Sequence, residues 1–359
     1  MQSHIHTPAL EALGWTDAEA ASFVAYSGRG LVAGRVTREH THIYTVRTAA
    51  GDLLARVAGR LRHRAGGRRD YPAVGDWVAV APAHGRGTIH GVLPRRTRFS
   101  RKMAGSRTDE QVVAANIDTV FLVAGLDRDF NLRRLERYAI LARESGAAAV
   151  VVLNKADIAD DLGAAVADVA RVAPALPIVV VSARTGQGLD ALGAYVQPGR
   201  TVAFLGSSGV GKSTIINALV GESLLATRDV RARDGRGRHA STSRQLVVLP
   251  GGGLVIDTPG MRELQLWEVT EGLVETFDDI EALAAECRFR DCRHRGEPGC
   301  AVQAAVDAGS LSAGRLESYR KLVDEMAQLA VRQGERARLE KKRQDKVIHR
   351  AARKHKPRG

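Results

Sequence analysis

Long apolar runs are missing from this chain. Its 359 residues are 44% hydrophobic and 26% charged, a globular composition with ample material for a core. No apolar stretch approaches the roughly 18 residues that a membrane span needs. The opening residues, Met1 to Leu10, lack a basic region followed by an apolar core. No signal peptide and no membrane partner are therefore expected, and the expected location is cytoplasmic. Cysteine is equally scarce: there are 3, Cys287, Cys292 and Cys300. So few cannot build a disulfide framework, and their clustering in a cytosolic chain favours a metal.

Charge is plentiful but unevenly placed. The net charge is +13; residues 28–108 hold 17 Lys/Arg against 4 Asp/Glu, residues 331–359 hold 12 against 3, and residues 109–330 hold 24 against 30. Two basic ends around an acidic middle point to a polyanionic partner, with nucleic acid ahead of an acidic membrane surface. Arginine dominates the first basic segment, and its planar fork suits phosphate and base edges.

One stretch organises the rest. Gly206-Ser207-Ser208-Gly209-Val210-Gly211-Lys212-Ser213-Thr214 follows the apolar run Thr201–Leu205 and precedes an amphipathic run from Ile215. This is the pattern G-x-x-x-x-G-K-[ST] between a strand and a helix, a phosphate-binding loop. Its glycines let backbone N–H groups close around phosphate oxygens at a helix N-terminus. Lys212 would stabilise phosphate charge, and the Ser213 hydroxyl would sit on Mg²⁺.

Ahead of the loop, strands and helices alternate. Thr119–Ala124, Ala148–Leu153 and Ile178–Ser182 read as buried strands, with helices over Leu132–Glu144, Leu162–Val172 and Gly188–Tyr195. Such alternation predicts a parallel sheet covered on both faces. Ligands of these sheets gather at the carboxyl ends of the strands, where Asn154-Lys155-Ala156-Asp157 and Ser182-Ala183 lie. Asp157 can accept from the two N–H groups of guanine, Asn154 fixes the loop, the Lys155 stem covers the ring, and the Ala183 N–H can reach the guanine O6. Adenine would leave the carboxylate unpaired, which is how a site rejects a near-isostere. Beyond the loop, Arg228–Arg244 is Gly- and Arg-rich without periodicity, as a nucleotide switch requires. Thr242, or alternatively Ser241, would offer a hydroxyl to Mg²⁺. Asp257-Thr258-Pro259-Gly260 ends a later strand; Asp257 would hold Mg²⁺ and the Gly260 N–H would sense the γ-phosphate. Base-recognition loops thus precede the phosphate loop, an order that a circular permutation produces.

Either side of this core the chain changes character. Residues 1–27 read as a short helical lead-in. Five β-rich runs in 28–99 predict a small closed barrel of OB type binding RNA, with an SH3-like barrel for protein contacts as the alternative. Arg60–Arg69 reads as a mobile loop, and 100–115 as a linker. Cys287-x4-Cys292-x-His294-x5-Cys300 offers three thiolates and an imidazole, a closed tetrahedral set for one structural Zn²⁺. Helices over Ala301–Gly309 and Ala313–Ala330 would pack around it. The tail after Val331 is either a solvated end or an RNA-contacting arm.

The assembled layout is a lead-in (1–27), an OB-like RNA-binding domain (28–108), a circularly permuted α/β P-loop GTPase domain (109–268), a zinc-binding helical domain (269–330) and a basic tail (331–359). This arrangement, with Val74-Gly-Asp-Trp77 in the barrel and the motif spacings above, resembles the RsgA (YjeQ/YloQ) family of bacterial GTPases that depend on the small ribosomal subunit. The resemblance implies a monomeric enzyme that binds the small subunit and its 16S rRNA late in maturation and hydrolyses GTP to GDP under the subunit's stimulation. It also implies that His239, just before the first-switch hydroxyls, assists hydrolysis. The water-orienting Gln that often follows the Gly of the second switch is absent; Met261 and Arg262 stand there, which implies slow intrinsic turnover. Gly209 stands where potassium-activated relatives carry Asn, so potassium dependence is not expected. Two other readings remain: a GTP-gated rRNA-binding module with incidental hydrolysis, and a permuted GTPase acting on the large subunit.

Overall fold

The computed structural model describes residues 7–40, 42–102, 110–221, 244–257, 276–324 and 327. The chain divides into two compact units, one within residues 1–265 and one beginning at Leu266.

In the first unit, alternating residues of β2 (Ile43–Thr48), β3 (Gly51–Val57) and β5 (Arg86–Val92) turn inward, whereas β1 (Val32–His40) and β4 (Trp77–Ala83) are buried in continuous runs. Val36, Tyr44, Val46, Ala55, Val78, Val80 and Ile89 form their shared core. The strands pair in the order β1-β2-β3-β5-β4, and β4 returns to β1, so the sheet closes. All pairs are antiparallel except β3 with β5, which are parallel. Closure removes the edges on which another chain could pair.

The lead-in earns its place by packing. Helices α1 (Pro8–Glu11) and α2 (Asp17–Phe23) each start at a threonine cap, and Thr16 with Glu19 completes a capping box. Their turn sets Trp15 edge-on to Trp77, with ring centroids 4.7 Å apart. The motif Val74–Trp77 is a structural corner. Gly75 has φ +93°, and a Cβ there would stand 2.1 Å from the Ala115 carbonyl oxygen. Asp76 is fully buried and takes a bidentate pair from Arg95 at 2.7 and 2.8 Å.

Two expectations change here. The stretch Arg60–Arg69 is not a loop: it forms α3 (Gly59–Arg64) and a 3₁₀ turn, Arg68–Asp70. Nor is 100–115 a linker. β6 (Arg98–Lys102) and β7 (Glu110–Ala115) make an antiparallel ribbon, because Val112–Ala115 are buried and the Ala115 N–H donates to Val74.

The second sheet runs β10 (Ile178–Val180), β9 (Ala148–Asn154), β8 (Thr119–Gly125), β11 (Thr201–Leu205), β13 (Leu254–Asp257) and β12 (Arg244–Val248). The first five are parallel and β12 is antiparallel. Every residue of β8 and β11 is buried, as continuous apolar runs require of strands covered on both faces. The strand feeding the phosphate loop, β11, follows β8–β10 in the chain yet lies between β8 and β13 in space. Chain order and spatial order differ in the way a circular permutation makes them differ. β12 also pairs with β1, Arg38 opposite Gln245, so barrel and parallel sheet are one continuous sheet.

Helices α4 (Leu132–Ser145), α5 (Leu162–Val172) and α6 (Lys212–Val220) cover this sheet. Asn131 and Asp161 cap α4 and α5. Gly146 and Gly221, both at left-handed φ, end α4 and α6, as helix stops commonly do. The expected helix over Gly188–Tyr195 is a 3₁₀ helix, Leu189–Tyr195.

The second unit contains helix Asp278–Ala285, helix Ala301–Asp307 and helical residues 313–324. Among its described residues Phe277, Ile280, Val302, Ala305, Leu311, Leu316 and Leu322 are buried apolar side chains. Arg315, itself 7% exposed, grips Asp279 bidentately, donates to the Thr276 carbonyl and lies over the Phe277 ring.

Candidate functional site

Parallel pairing sets the functional loops side by side. Gly125 pairs with Asn154, Leu153 with Val180, Leu122 with Leu205 and Ala203 with Ile256. The carboxyl ends of β8, β9, β10, β11 and β13 therefore share one edge. The loops carrying Asn154–Asp157, Ser182–Ala183 and Gly206–Thr214, and the strand end at Asp257, are brought together there.

Asn154 holds three of these loops in one grip. It is 2% exposed. Its Nδ2 donates to the Val210 carbonyl at 2.8 Å, and its Oδ1 accepts the Ala183 N–H at 2.9 Å. The N–H that the sequence offers to guanine O6 is thus bonded to Asn154 here. The fit is close on the loop's side as well: Gly211 has φ +96°, and a Cβ on it would stand 2.2 Å from Asn154 Nδ2. Asn154→Ala leaves a buried carbonyl, Val210, and a half-buried N–H, Ala183, without this partner, at about 1–3 kcal/mol for a buried group. We expect GDP affinity to fall by about 100-fold, read by titration with a fluorescent GDP analogue. An affinity within about threefold of the parent would show that the loops hold their places without it.

Asp157 accepts from the Ser182 hydroxyl at 2.6 Å and pairs with Arg184 at 3.2 Å. The Ser182 hydrogen bond, ahead of the Arg184 charge, holds its carboxyl below the ordinary 3.8. A lowered carboxylate pKa means the ionised form is lost only on acidification below that range, so Asp157 is an acceptor throughout neutral pH. Lys155 takes a left-handed turn at φ +69° and its ammonium binds Asp127 just beyond β8. Burial pushes the Asp127 carboxyl up, but the Lys155 hydrogen bond and charge outweigh it and hold it low.

At the phosphate loop, Gly209 and Gly211 adopt left-handed φ. Lys212 Nζ donates to the Gly206 and Ser207 carbonyls at 2.6 Å each, so the ammonium lies across the loop it serves. Ser213 and Thr214 occupy the first turn of α6. Asp257 ends β13. Thr242, Ser241, His239 and Gly260 lie outside the described residues, as do Met261, Arg262 and the tail 331–359.

Two site residues escape the motif reading. Asp127 anchors Lys155, and Arg134 on the first turn of α4 donates to Ser207 Oγ at 2.6 Å. A cue to Arg134 exists: a helix N-terminus disfavours cations, so Arg133-Arg134 in a first turn suggests an acceptor nearby.

The second unit gathers the other predicted cluster. The ligand atoms of Cys287, Cys292, His294 and Cys300 lie within 4.8 Å of one another. Cys287 Sγ and Cys300 Sγ are 3.6 and 3.5 Å from His294 Nδ1, and 4.0 Å from each other. His294 is 5% exposed and sits at φ +58°. Burial lowers its pKa, which keeps the imidazole neutral, the form that ligates. The cluster can hold one metal ion with four protein ligands.

Comparison with known sequences fits this geometry. A sequence model described as RsgA GTPase matches residues 92–267. A small ribosomal subunit biogenesis GTPase RsgA of Opitutus terrae is 51% identical over 334 residues, 90% of this chain and 91% of its own. The chain belongs to the RsgA GTPase family. A Streptomyces coelicolor member with the same name is 44% identical over 341 residues, 94% of this chain and 92% of its own. Among solved structures, YjeQ from Thermotoga maritima superposes with a TM-score of 0.59 at 28% identity, covering 84% of this chain and 99% of its own. The structure of YloQ, a circularly permuted GTPase, shares the fold with a TM-score of 0.57 at 22% identity, over 86% and 98%. The first unit is therefore a circularly permuted GTPase carrying a small N-terminal barrel, and the protein is a GTP-hydrolysing enzyme. Among the described residues no helix is long and apolar enough to cross a membrane.

Proposed function

We propose that this GTPase binds the small ribosomal subunit through its 16S rRNA, acts late in the subunit's maturation, and hydrolyses GTP to GDP and phosphate faster when the subunit is bound. Family membership over nine-tenths of the chain carries the reading, since relatives aligned over that length bear the small-subunit name. The arginine-rich barrel supports the RNA partner. Its closed order, with β3 parallel to β5, is that of an OB-fold, a class that binds oligonucleotides. The working form is a monomer in the cytoplasm, with no membrane partner. The functional divisions are 28–108, 109–268 and 269–330, flanked by the lead-in and a basic tail at 331–359.

In the chemistry, Asp157 accepts from the guanine N–H groups while Asn154 and Ser182 hold the base loops in register. The Lys155 stem covers the ring, and Ala156 and Ala183 contribute backbone. Residues Gly206–Thr214 wrap the phosphates, and Lys212 stabilises charge on them. Ser213, Thr242 and Asp257 are the groups that would hold Mg²⁺, whose contribution is to neutralise developing phosphate charge. Gly260 senses the γ-phosphate and His239 assists the water. With no glutamine to position that water, turnover waits on the partner.

Zinc suits the cluster in the second unit. Tetrahedral Zn²⁺, about 2.3 Å from sulfur and about 2.0 Å from nitrogen, would separate its ligands by roughly 3.5–3.8 Å, close to the spacings above. All four ligands being protein, the ion would be structural.

Steady-state GTP hydrolysis titrated with purified small and large subunits tests the proposal. The rate should rise with small subunits alone. An unchanged rate would leave an RNA-binding module with incidental hydrolysis, and a rise with large subunits alone would reassign the partner.

A further inference from the structure

One cavity lies apart from the nucleotide site. It is a groove of about 1260 Å³ between the barrel, the lead-in and the far end of α4. Eight arginines and two acidic residues line it. Arg29 enters from the turn before β1, Arg60 and Arg64 from α3, Arg98 from β6 and Arg143 from the last turn of α4. Arg29, Arg60 and Arg64 are exposed, and the described residues offer them no ion pair. Like charges gathered along one groove repel one another. Arg95 and Arg96 differ, being spent on Asp76, Glu19 and Asp118. Arg69 and Arg98 pair with Asp70 at 3.8 Å and Glu110 at 3.9 Å, which leaves Arg29, Arg60 and Arg64 as a concave row of exposed guanidinium groups, a site for a chain of phosphates because each arginine can fork onto one phosphate.

α4 runs from this groove to the nucleotide. Arg143 and Gly146, at its end, line the groove, whereas Arg134, on its first turn, bonds Ser207 of the phosphate loop. Its 14 residues span about 20 Å. One stiff rod therefore touches both places.

We propose that the groove seats an RNA phosphate backbone, and that α4 is the element through which seated RNA acts on the phosphate loop. This rests on the small-subunit reading above and adds where the RNA sits and how its presence reaches the nucleotide. A backbone suits the concave shape, whereas a lipid surface, being planar, cannot follow it.

The test uses the full chain, purified small subunits and anionic phosphatidylglycerol vesicles. In the triple variant R29Q/R60Q/R64Q, basal hydrolysis, GDP affinity and melting temperature should match the parent. Affinity for small subunits should fall at least tenfold, with the slope of log K against log salt smaller by about 3. An unchanged affinity and slope, with the parent still activated by subunits, overturns the groove and leaves the small-subunit reading intact. A parent that subunits do not activate overturns that reading instead. Loss of vesicle binding with retained subunit binding would assign the groove to a membrane and overturn it. For the α4 link, Arg134→Gln should bind subunits with parental affinity, while the ratio of stimulated to basal turnover at saturating subunit drops at least fivefold. A parental ratio overturns the link.

Discussion

Arg35→Met is expected to destabilise the first unit by roughly 4 kcal/mol, read as a lower midpoint in denaturant unfolding. Arg35 is fully buried in β1. Among the described residues no carboxylate hydrogen-bonds to it. Its guanidinium donates instead to three main-chain carbonyls: Gly75 through Nε at 3.1 Å, Asn116 through one terminal nitrogen at 2.9 Å, and Leu13 through the other. It also stacks over Trp77, 5.5 Å from the ring centroid. Those carbonyls belong to the lead-in, the barrel corner and the entry to β8. One side chain thus fastens three segments that are distant in sequence. Burial lowers its pKa to about 10, so it remains charged at neutral pH and each of its bonds is charge-assisted. Methionine matches the volume but leaves three acceptors unpaired. Charged hydrogen bonds contribute about 1.5–3 kcal/mol each, and the recovered desolvation cost of the ion offsets part of their loss. Arg35→Lys should recover only a fraction, because an ammonium cannot span three diverging carbonyls. A loss below about 1 kcal/mol for Arg35→Met would mean that the apolar contacts around Trp77 fasten the corner unaided.

Arg35 also marks the boundary of what sequence discloses. In composition it is one of 17 basic residues in 28–108, a count that argues for RNA. Its burial depends on Leu13 and Asn116, which no local pattern ties to it. The same boundary divides the nucleotide site. Asn154 and Asp157 are legible because guanine demands those groups at that spacing after a strand. That Asn154 bonds Val210 and Ala183 is not, since the contacts bridge 56 and 29 positions. Strands such as Thr201–Leu205 are legible because an apolar run with every residue buried has no polar phase to mislead. The ribbon of β6 and β7 is hidden by Arg98, Arg101 and Lys102, whose charges suggest solvent, while only the β7 half carries an apolar face. Arg60–Arg64 looks like a loop for a similar reason: Gly59 precedes a run with little apolar surface, and its first helical turn lacks a side-chain cap. What the sequence assigns to a mobile basic segment is a short helix that lines the groove.

Withdrawing the metal proposed for the Cys287–Cys300 cluster is expected to have the largest effect of all. Chelation should unfold residues 276–324, seen as loss of amide protection there in hydrogen exchange, and Zn²⁺ should restore it. The reason is the size of the core. Below roughly 70 residues a hydrophobic core seldom supplies more than about 3–5 kcal/mol, and among the described residues of this segment Phe277, Ile280, Val302, Leu311, Leu316 and Leu322 are the large buried apolar side chains. The Arg315–Asp279 pair is half in solvent, with Asp279 40% exposed, and adds little. A structural zinc site contributes on the order of 10 kcal/mol, more than the remaining terms together. The cluster also sets local geometry: Cys300 Sγ accepts the Gln303 N–H at 3.3 Å and caps helix Ala301–Asp307, and His294 lies beside Tyr319 of the last helical stretch. Cys300→Ser should therefore unfold the same segment by removing a thiolate ligand, although the serine hydroxyl could still cap the helix. The pair of results separates ligation from capping. Retained protection in Cys300→Ser under chelation would mean the cap and the small core suffice, and the metal would then be no part of the fold.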